Sequence, residues 1–314
     1  MSKKLSIVLI ILLSILLACV VGGMIFLFNT DLDKFKFGFN FGIASGTSKK
    51  LVDEKEITNI KDIYVDSDIA DVFIKTSETG TIKVELYSDD PETYEITELE
   101  NKINVVLKEK SGSRGFNFKN SKINLYIPTN YANLINIENK TGDIEMDSFS
   151  SANFNAVLTT GDINIKEVNN ATIKLTTGDV EIDSAYSVKS EATTGDFEAG
   201  TVRLLDVEVT TGDLNATELD KVKAKTTTGD IRFGIINDSL DLETNTGDVN
   251  VEKATVLNNS KIKTGTGDVN INQINDGIYV EGKSNVGDVK INKTDRKSDI
   301  ELIINTRTGD IRVK

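Results

Sequence analysis

Ten times in this chain an aspartate follows a glycine in the same setting, beginning with Gly142-Asp143, Gly161-Asp162 and Gly178-Asp179 and ending with Gly309-Asp310. Carboxylates repeated in register could do three kinds of chemistry. They could line up as oxygen ligands for Ca²⁺. They could pair as acid and base on a polysaccharide. Or they could accept hydrogen bonds from backbone N–H groups at a tight corner.

The neighbouring residues separate these readings. Stacked carboxylates ~4.8 Å apart repel by ~1 kcal/mol even in water, so something must relieve them. Three residues after the glycine the ladder carries Arg232, Lys290 and Arg312. These oppose bound metal and relieve the repulsion directly. The doubly glycine-rich, nine-residue calcium repeat is absent. Catalysis has less support still, because each recurring Asp sits at a repeat position and no nucleophile motif or phosphate loop breaks the pattern. The chain has no His, no Trp and one Cys, Cys19, which removes the usual general base and zinc ligands. Thr-Gly-Asp therefore reads as a structural corner, with a calcium ladder as the competing reading. No catalytic, cofactor-binding or metal residue is expected.

A corner needs strands on both sides, and the columns supply them. With each glycine at zero (Gly142, Gly161, Gly178, Gly195, Gly212, Gly229, Gly247, Gly267, Gly287, Gly309), the spacing runs from 17 to 22 residues. Position −1 is Thr in nine copies, Val286 being the exception. Positions +2 and +4 are always apolar and +3 is always polar, as in Ile163-Asn164-Ile165. Position −5 is mostly apolar (Ile137, Ile173, Val207, Leu242), −4 is mostly charged, and an apolar residue recurs near +7 (Phe149, Val168, Val202, Leu219). Period two on both sides of a glycine predicts strand, corner, strand. A near-constant period this short cannot hold a βαβ unit. It predicts an all-β, single-stack β-solenoid, about ten coils rising ~48 Å. Pro91 and Pro128 are the only prolines, which leaves the later ladders uninterrupted.

Residues 141–314 are read as the regular solenoid and residues 51–140 as irregular β coils forming a cap. Within the cap, "SDIADVFI" (positions 67–74) keeps the Asp-apolar-x-apolar signature at Asp71 without the glycine. The Val286 coil is expected to be irregular.

Residues 5–28 contain no charge. As a helix they would rise ~36 Å, enough to cross a bilayer. That length, and the apolar residues beyond Cys19, favour a retained transmembrane helix over lipidation at Cys19 or signal cleavage. Lys3 and Lys4 keep residues 1–4 in the cytoplasm and place the rest outside. Residues 29–50 read as a linker in which Phe35, Phe37, Phe39 and Phe41 alternate with polar or small residues. These rings suit either the headgroup zone or a pairing strand. A formal charge of −13, from 36 basic and 49 acidic residues, argues against nucleic acid as a partner.

The Thr-Gly-Asp-apolar-polar-apolar runs after an apolar segment resemble the bacterial "putative-adhesin", toastrack-like domain family over about residues 55–314. Membership implies a stacked all-β domain outside the membrane. It also implies association with cell-envelope stress systems, and it supplies no catalytic residues. The expected role is a non-enzymatic, membrane-anchored scaffold or accessory protein with membrane or envelope proteins as partners. The alternative is a surface adhesin for a glycan or protein ligand, against which the scarcity of aromatic residues counts.

Overall fold

A computed structural model describes residues 50–89, 91–109 and 121–314. The apolar segment at 5–28 and the linker rings at 35–41 lie outside the described residues. Within them there are twenty strands joined in a single wound sheet, no helix, and so no helix long and apolar enough to cross a membrane.

One coil shows how the sequence builds the stack. In Val180–Thr194, Val180, Ile182, Ala185, Val188 and Ser190 are buried, while Glu181, Asp183, Lys189 and Glu191 are exposed. The coil pairs in parallel with Ile163–Thr177 on one side and Phe197–Thr211 on the other. Residue n faces n ± 17 throughout, so Ser190 lies between Ile173 and Val207. Pairing skips Asp183, Tyr186 and Thr193, where the chain bends. A regular coil is thus one bent strand closed by the Gly-Asp corner, rather than two strands joined by separate turns.

The inward columns at +2, +4, −5 and +7 are as the sequence predicts, except at Val289, which is 43% exposed, and Ile291, which is half-buried. Two more exist. Position −7 is inward at Phe154, Ala171, Val188, Leu205 and Val222. Position −3 is inward and apolar at Leu158, Leu175 and Val209, then changes to Thr226, Thr244 and Thr264, all buried. Their hydroxyls donate to corner carbonyls, Thr226 to Gly212 O and Thr244 to Gly229 O at 3.1 Å each. A buried hydroxyl with that bond avoids the desolvation cost of an unsatisfied one. The apolar columns supply the driving force, about 1.5–3 kcal/mol for each fully buried Val, Leu or Ile.

At both ends the stacking order departs from the chain order. Near the N-terminal end, Asp62–Ser77 is sandwiched. Lys102–Glu109 and Ser121–Pro128 pair on one side of it, Leu134–Thr141 and the start of Ile144–Thr160 on the other. Antiparallel strands close that end: Ile82–Tyr87 on Ser121–Pro128, Leu51–Ile57 on Ile82–Tyr87, and Pro91–Glu98 on Lys102–Glu109. At the other end the last coil is the inserted one. Glu301–Thr308 lies between Ser260–Thr266 and Tyr279–Val286, and Ile311–Val313 lies between Val269–Ile274 and Val289–Ile291.

Gly282 explains the inversion. A Cβ there would meet Val289 Cγ1 at 3.0 Å and Ile291 Cδ1 at 3.1 Å. The Tyr279–Ile291 coil closes down at Gly282 and is outermost, pairing on one side only, with Glu301–Thr308 and Ile311–Val313. The last coil carries Leu302, Ile304, Ile311 and Val313, all buried to 1% exposure or less, and needs a neighbour on each side. Val286, at 65% exposure, belongs to the closing coil, and the irregularity expected there is not seen at its corner: Gly287 keeps φ +146° and Gly309 N donates to Val286 O at 2.9 Å. Thr294 seals part of the free edge. Its Oγ1 accepts from Val280 N at 3.0 Å and donates to Val280 O at 3.2 Å, a side chain standing in for the next strand.

Candidate functional site

Each corner glycine has φ between +128° and +153°, and its backbone lies against the corner of a neighbouring coil. A Cβ on Gly195 would come within 1.8 Å of Gly178 O, so neither the conformation nor the space admits a side chain. The corner uses the threonine's carbonyl: Gly178 N donates to Thr194 O at 3.0 Å. The residue after the aspartate donates to the next aspartate's carbonyl, as Val180 N does to Asp196 O at 3.0 Å. Between these two bonds the Asp N–H points the other way, toward the preceding coil, and its acceptor there is a carboxylate. Asp196 N donates to Asp179 Oδ1 at 2.7 Å, Asp213 N to Asp196 Oδ1 at 2.8 Å, and Asp230 N to Asp213 Oδ1 at 2.8 Å.

The ladder starts at Asp71, whose Oδ1 accepts from Asp143 N at 3.2 Å. The worn signature in "SDIADVFI" is therefore its first rung. Ala70 takes the glycine's place, and the buried Asn139 secures it by donating from Nδ2 to Ala70 O at 2.8 Å. Ser67 Oγ donates to Asn139 Oδ1 at 2.6 Å. The ladder then follows the stack rather than the chain: Asp310 N donates to Asp268 Oδ1 at 2.8 Å and Asp288 N to Asp310 Oδ1 at 2.9 Å.

The +3 arginines take the second carboxylate oxygens. Arg232 Nη1 donates to Asp213 Oδ2 at 2.8 Å and also pairs with Asp230. Burial pushes the Asp213 carboxyl up, but the Asp230 N–H and the Arg232 guanidinium outweigh it and hold it below its ordinary value. Asp213 thus has Oδ1 on a backbone N–H and Oδ2 on a guanidinium. The geometry is that of a corner.

The outward face beside this corner alternates in charge along the stack, Lys189, Asp206, Lys223, Asp241, Lys261. Lys223 pairs with Asp206 and Lys261 with Asp241 at 3.2 Å each. One position over, Lys225 meets Glu208 and Lys263 meets Glu243 at 2.6 Å each. Exposed pairs of this kind contribute at most about 1 kcal/mol. Their main effect is to avoid the like-charge columns that parallel register would otherwise impose.

A different arrangement, which sequence reading missed, occupies the outward face near the N-terminal end. Register places Lys83 opposite Tyr126, Glu85 opposite Asn124 and Tyr87 opposite Lys122. On the next strand Asn124 lies beside Phe73 and Tyr126 beside Lys75. Although it faces outward, Glu85 is only 9% exposed. It pairs with Lys83 at 2.7 Å and accepts from Tyr87 OH at 3.0 Å and Asn124 Nδ2 at 3.2 Å. Burial pushes its carboxyl up, and Lys83, Asn124 and Tyr87 together pull it below its usual value. Lys122 and Lys75 lie over the Phe73 ring, 4.3 and 5.4 Å from its centroid.

A family model described as Toastrack DUF4097 matches residues 60–314. No curated protein matches. Among solved structures, a "putative adhesin" from Bacteroides fragilis aligns at 15% identity and TM-score 0.29, over 85% of this chain and 98% of that one. A "putative cell adhesion protein" from Clostridium sporogenes aligns at 12% identity and TM-score 0.23, over 83% and 98%. A "putative lipid binding protein" from Parabacteroides distasonis aligns at 13% identity and TM-score 0.24, over 83% and 96%.

Proposed function

The chain belongs to the Toastrack DUF4097 family, and from that premise we propose that it is a non-enzymatic scaffold or accessory protein of the bacterial cell envelope. In this reading residues 5–28 hold it in the membrane, the solenoid stands outside, and the partners are membrane proteins of an envelope stress response. The observation that supports a non-catalytic role is the ladder itself. The carboxylates that recur most regularly are engaged by backbone N–H groups, rung after rung. The long, flat and repetitive outer faces suit contact with another protein along their length.

The test is in-cell crosslinking of the full chain at native abundance, followed by mass spectrometry. Reproducible capture of a membrane kinase, transporter or other stress component is the expected result. Capture of extracellular ligands without any membrane protein would overturn the scaffold and leave the adhesin.

A further inference from the structure

The corner of the closing coil is an open rung. At each other corner the glycine N–H donates to a carbonyl of the adjoining coil, and so does the N–H two residues on. Gly287 N and Val289 N have no such acceptor among the described residues, and the Asp288 carboxylate accepts no ladder bond there. Gly287, Asp288, Val289 and Lys290 are all exposed, whereas the other corner glycines are half-buried. Val286 and Val289 stand among the exposed apolar side chains. Thr294 covers the free side of Val280, but Val289–Ile291 pairs with Ile311–Val313 and with no second strand among the described residues. Free donors beside uncovered apolar side chains are what an added strand satisfies.

We propose that a second copy of this chain docks here, the two closing coils meeting end to end across a two-fold axis at Val289. The charges select that occupant. Antiparallel pairing centred on Val289 sets Asp288 of each copy opposite Lys290 of the other. Centring on Lys290 would instead oppose two ammonium groups, which destabilises a pair of strands. Inside one copy the same contact is already in use. Arg232 and Arg312, three residues after their glycines, reach Asp213 and Asp268 on a neighbouring coil. Lys290 occupies the equivalent position, is exposed, and pairs with no carboxylate among the described residues. In the paired form Val289 N–H donates to the Val289 carbonyl of the second copy, and Gly287 N–H to its Ile291 carbonyl. The side chains of Val289 and Ile291 from both copies then cover one another. A foreign strand would have to bring a cation and a carboxylate at this same two-residue spacing, and a second copy brings both. Such an interface is isologous, one patch used twice. It goes beyond the scaffold reading and does not depend on anchoring or on stress partners.

The experiment is sedimentation velocity on the full chain in mild detergent over a concentration series, with disulfide trapping alongside. A monomer–dimer equilibrium is expected. Lys290→Glu, which sets acid against acid across the axis, should raise the dimer dissociation constant at least about ten-fold. Adding Asp288→Lys to it restores opposite charges and should restore the dimer. Lys290 lies beside Arg312 in register, so Lys290→Glu removes a like-charge neighbour within the monomer and should not impair folding. For trapping, Val289→Cys is made with Cys19→Ser. Residues facing each other across such a pair have Cα atoms about 5.5 Å apart, within disulfide reach. Mild oxidation should yield a covalent dimer, and Tyr186→Cys with Cys19→Ser, exposed on a regular coil, should not. A chain that stays monomeric at high micromolar concentration overturns the proposal. So does a dimer that Lys290→Glu leaves unchanged, or one that the cysteine at position 289 fails to trap.

Discussion

The backbone N–H of Asp230 donates to the carboxylate of Asp213, 2.8 Å away on the preceding coil. The bond makes a side chain do what a strand carbonyl does elsewhere in the ladder. Asp213→Ala leaves that N–H without an acceptor and removes one of the two carboxylates that Arg232 engages, at a cost of about 1–2 kcal/mol. Asp213→Asn keeps an acceptor and should cost less. Asp288, on the outermost coil, accepts no ladder bond among the described residues, so Asp288→Ala should fall within about 0.5 kcal/mol of the parent. Urea denaturation of the three variants checks the order, and equal losses at positions 213 and 288 would refute it.

Corner glycines should be intolerant in proportion to their surroundings. Gly195→Ala sets a Cβ 1.8 Å from Gly178 O at φ +138°, and should cost at least about 3 kcal/mol. Gly80→Ala meets nothing within 4 Å and should be close to neutral. Thermal midpoints of the pair decide the matter.

One interior hydroxyl lacks a partner. Ser190 is 1% exposed, and its Oγ is unsatisfied among the described residues. Ser190→Ala removes the desolvated group and should stabilise the domain by about 1 kcal/mol. A lowered midpoint would mean that the hydroxyl finds a partner in solution.

Asp68, Asp147, Asp213, Glu85 and Glu243 all have folded-state carboxyls held below their ordinary values. Burial is the largest influence on the first four and acts upward, but lysine, arginine, amide or backbone donors outweigh it. For Glu243 the Lys263 hydrogen bond leads. A depressed carboxyl contributes stability that is complete above its unfolded value and is lost as pH falls through its folded one. Stability should therefore hold from neutral pH down to about 4–5 and decline below. Midpoints measured from pH 7 to 2.5 test the window, and a decline beginning above pH 6 would contradict it.

Amide exchange should follow stacking order rather than chain order. Glu301–Thr308 is paired on both sides and Tyr279–Val286 on one. The later segment should exchange more slowly, although it lies nearer the terminus. Faster exchange at 301–308 than at 279–286 would place the last coil outside.

These outcomes map onto what could be read in the sequence. The +2 and +4 columns were legible because every member is apolar, and Asp71 because its flanking pattern survives without glycine. The −3 column was not, because Thr226, Thr244 and Thr264 look like surface residues until a corner carbonyl lies within reach. Coil order was also hidden, since Gly287 and Gly309 head nearly identical signatures and only Gly282 and Val286 mark the closing coil. The ring cluster could not be seen because Phe73, Tyr87 and Tyr126 meet only through a parallel pairing of Asp62–Ser77 with Ser121–Pro128 and an antiparallel pairing of Ser121–Pro128 with Ile82–Tyr87, neither of which the repeat predicts.

The inserted last coil also sets a schedule. Ribosomes deliver a chain in sequence order, and a solenoid stacked in that order can grow as it emerges. This one cannot be finished that way. The wall of the Ser260–Thr266 coil that Glu301–Thr308 covers must wait, bare or provisionally covered, until residues 301–313 have been released. Those residues then enter between two coils that precede them in sequence, so the stack closes only after both of its neighbours have been made.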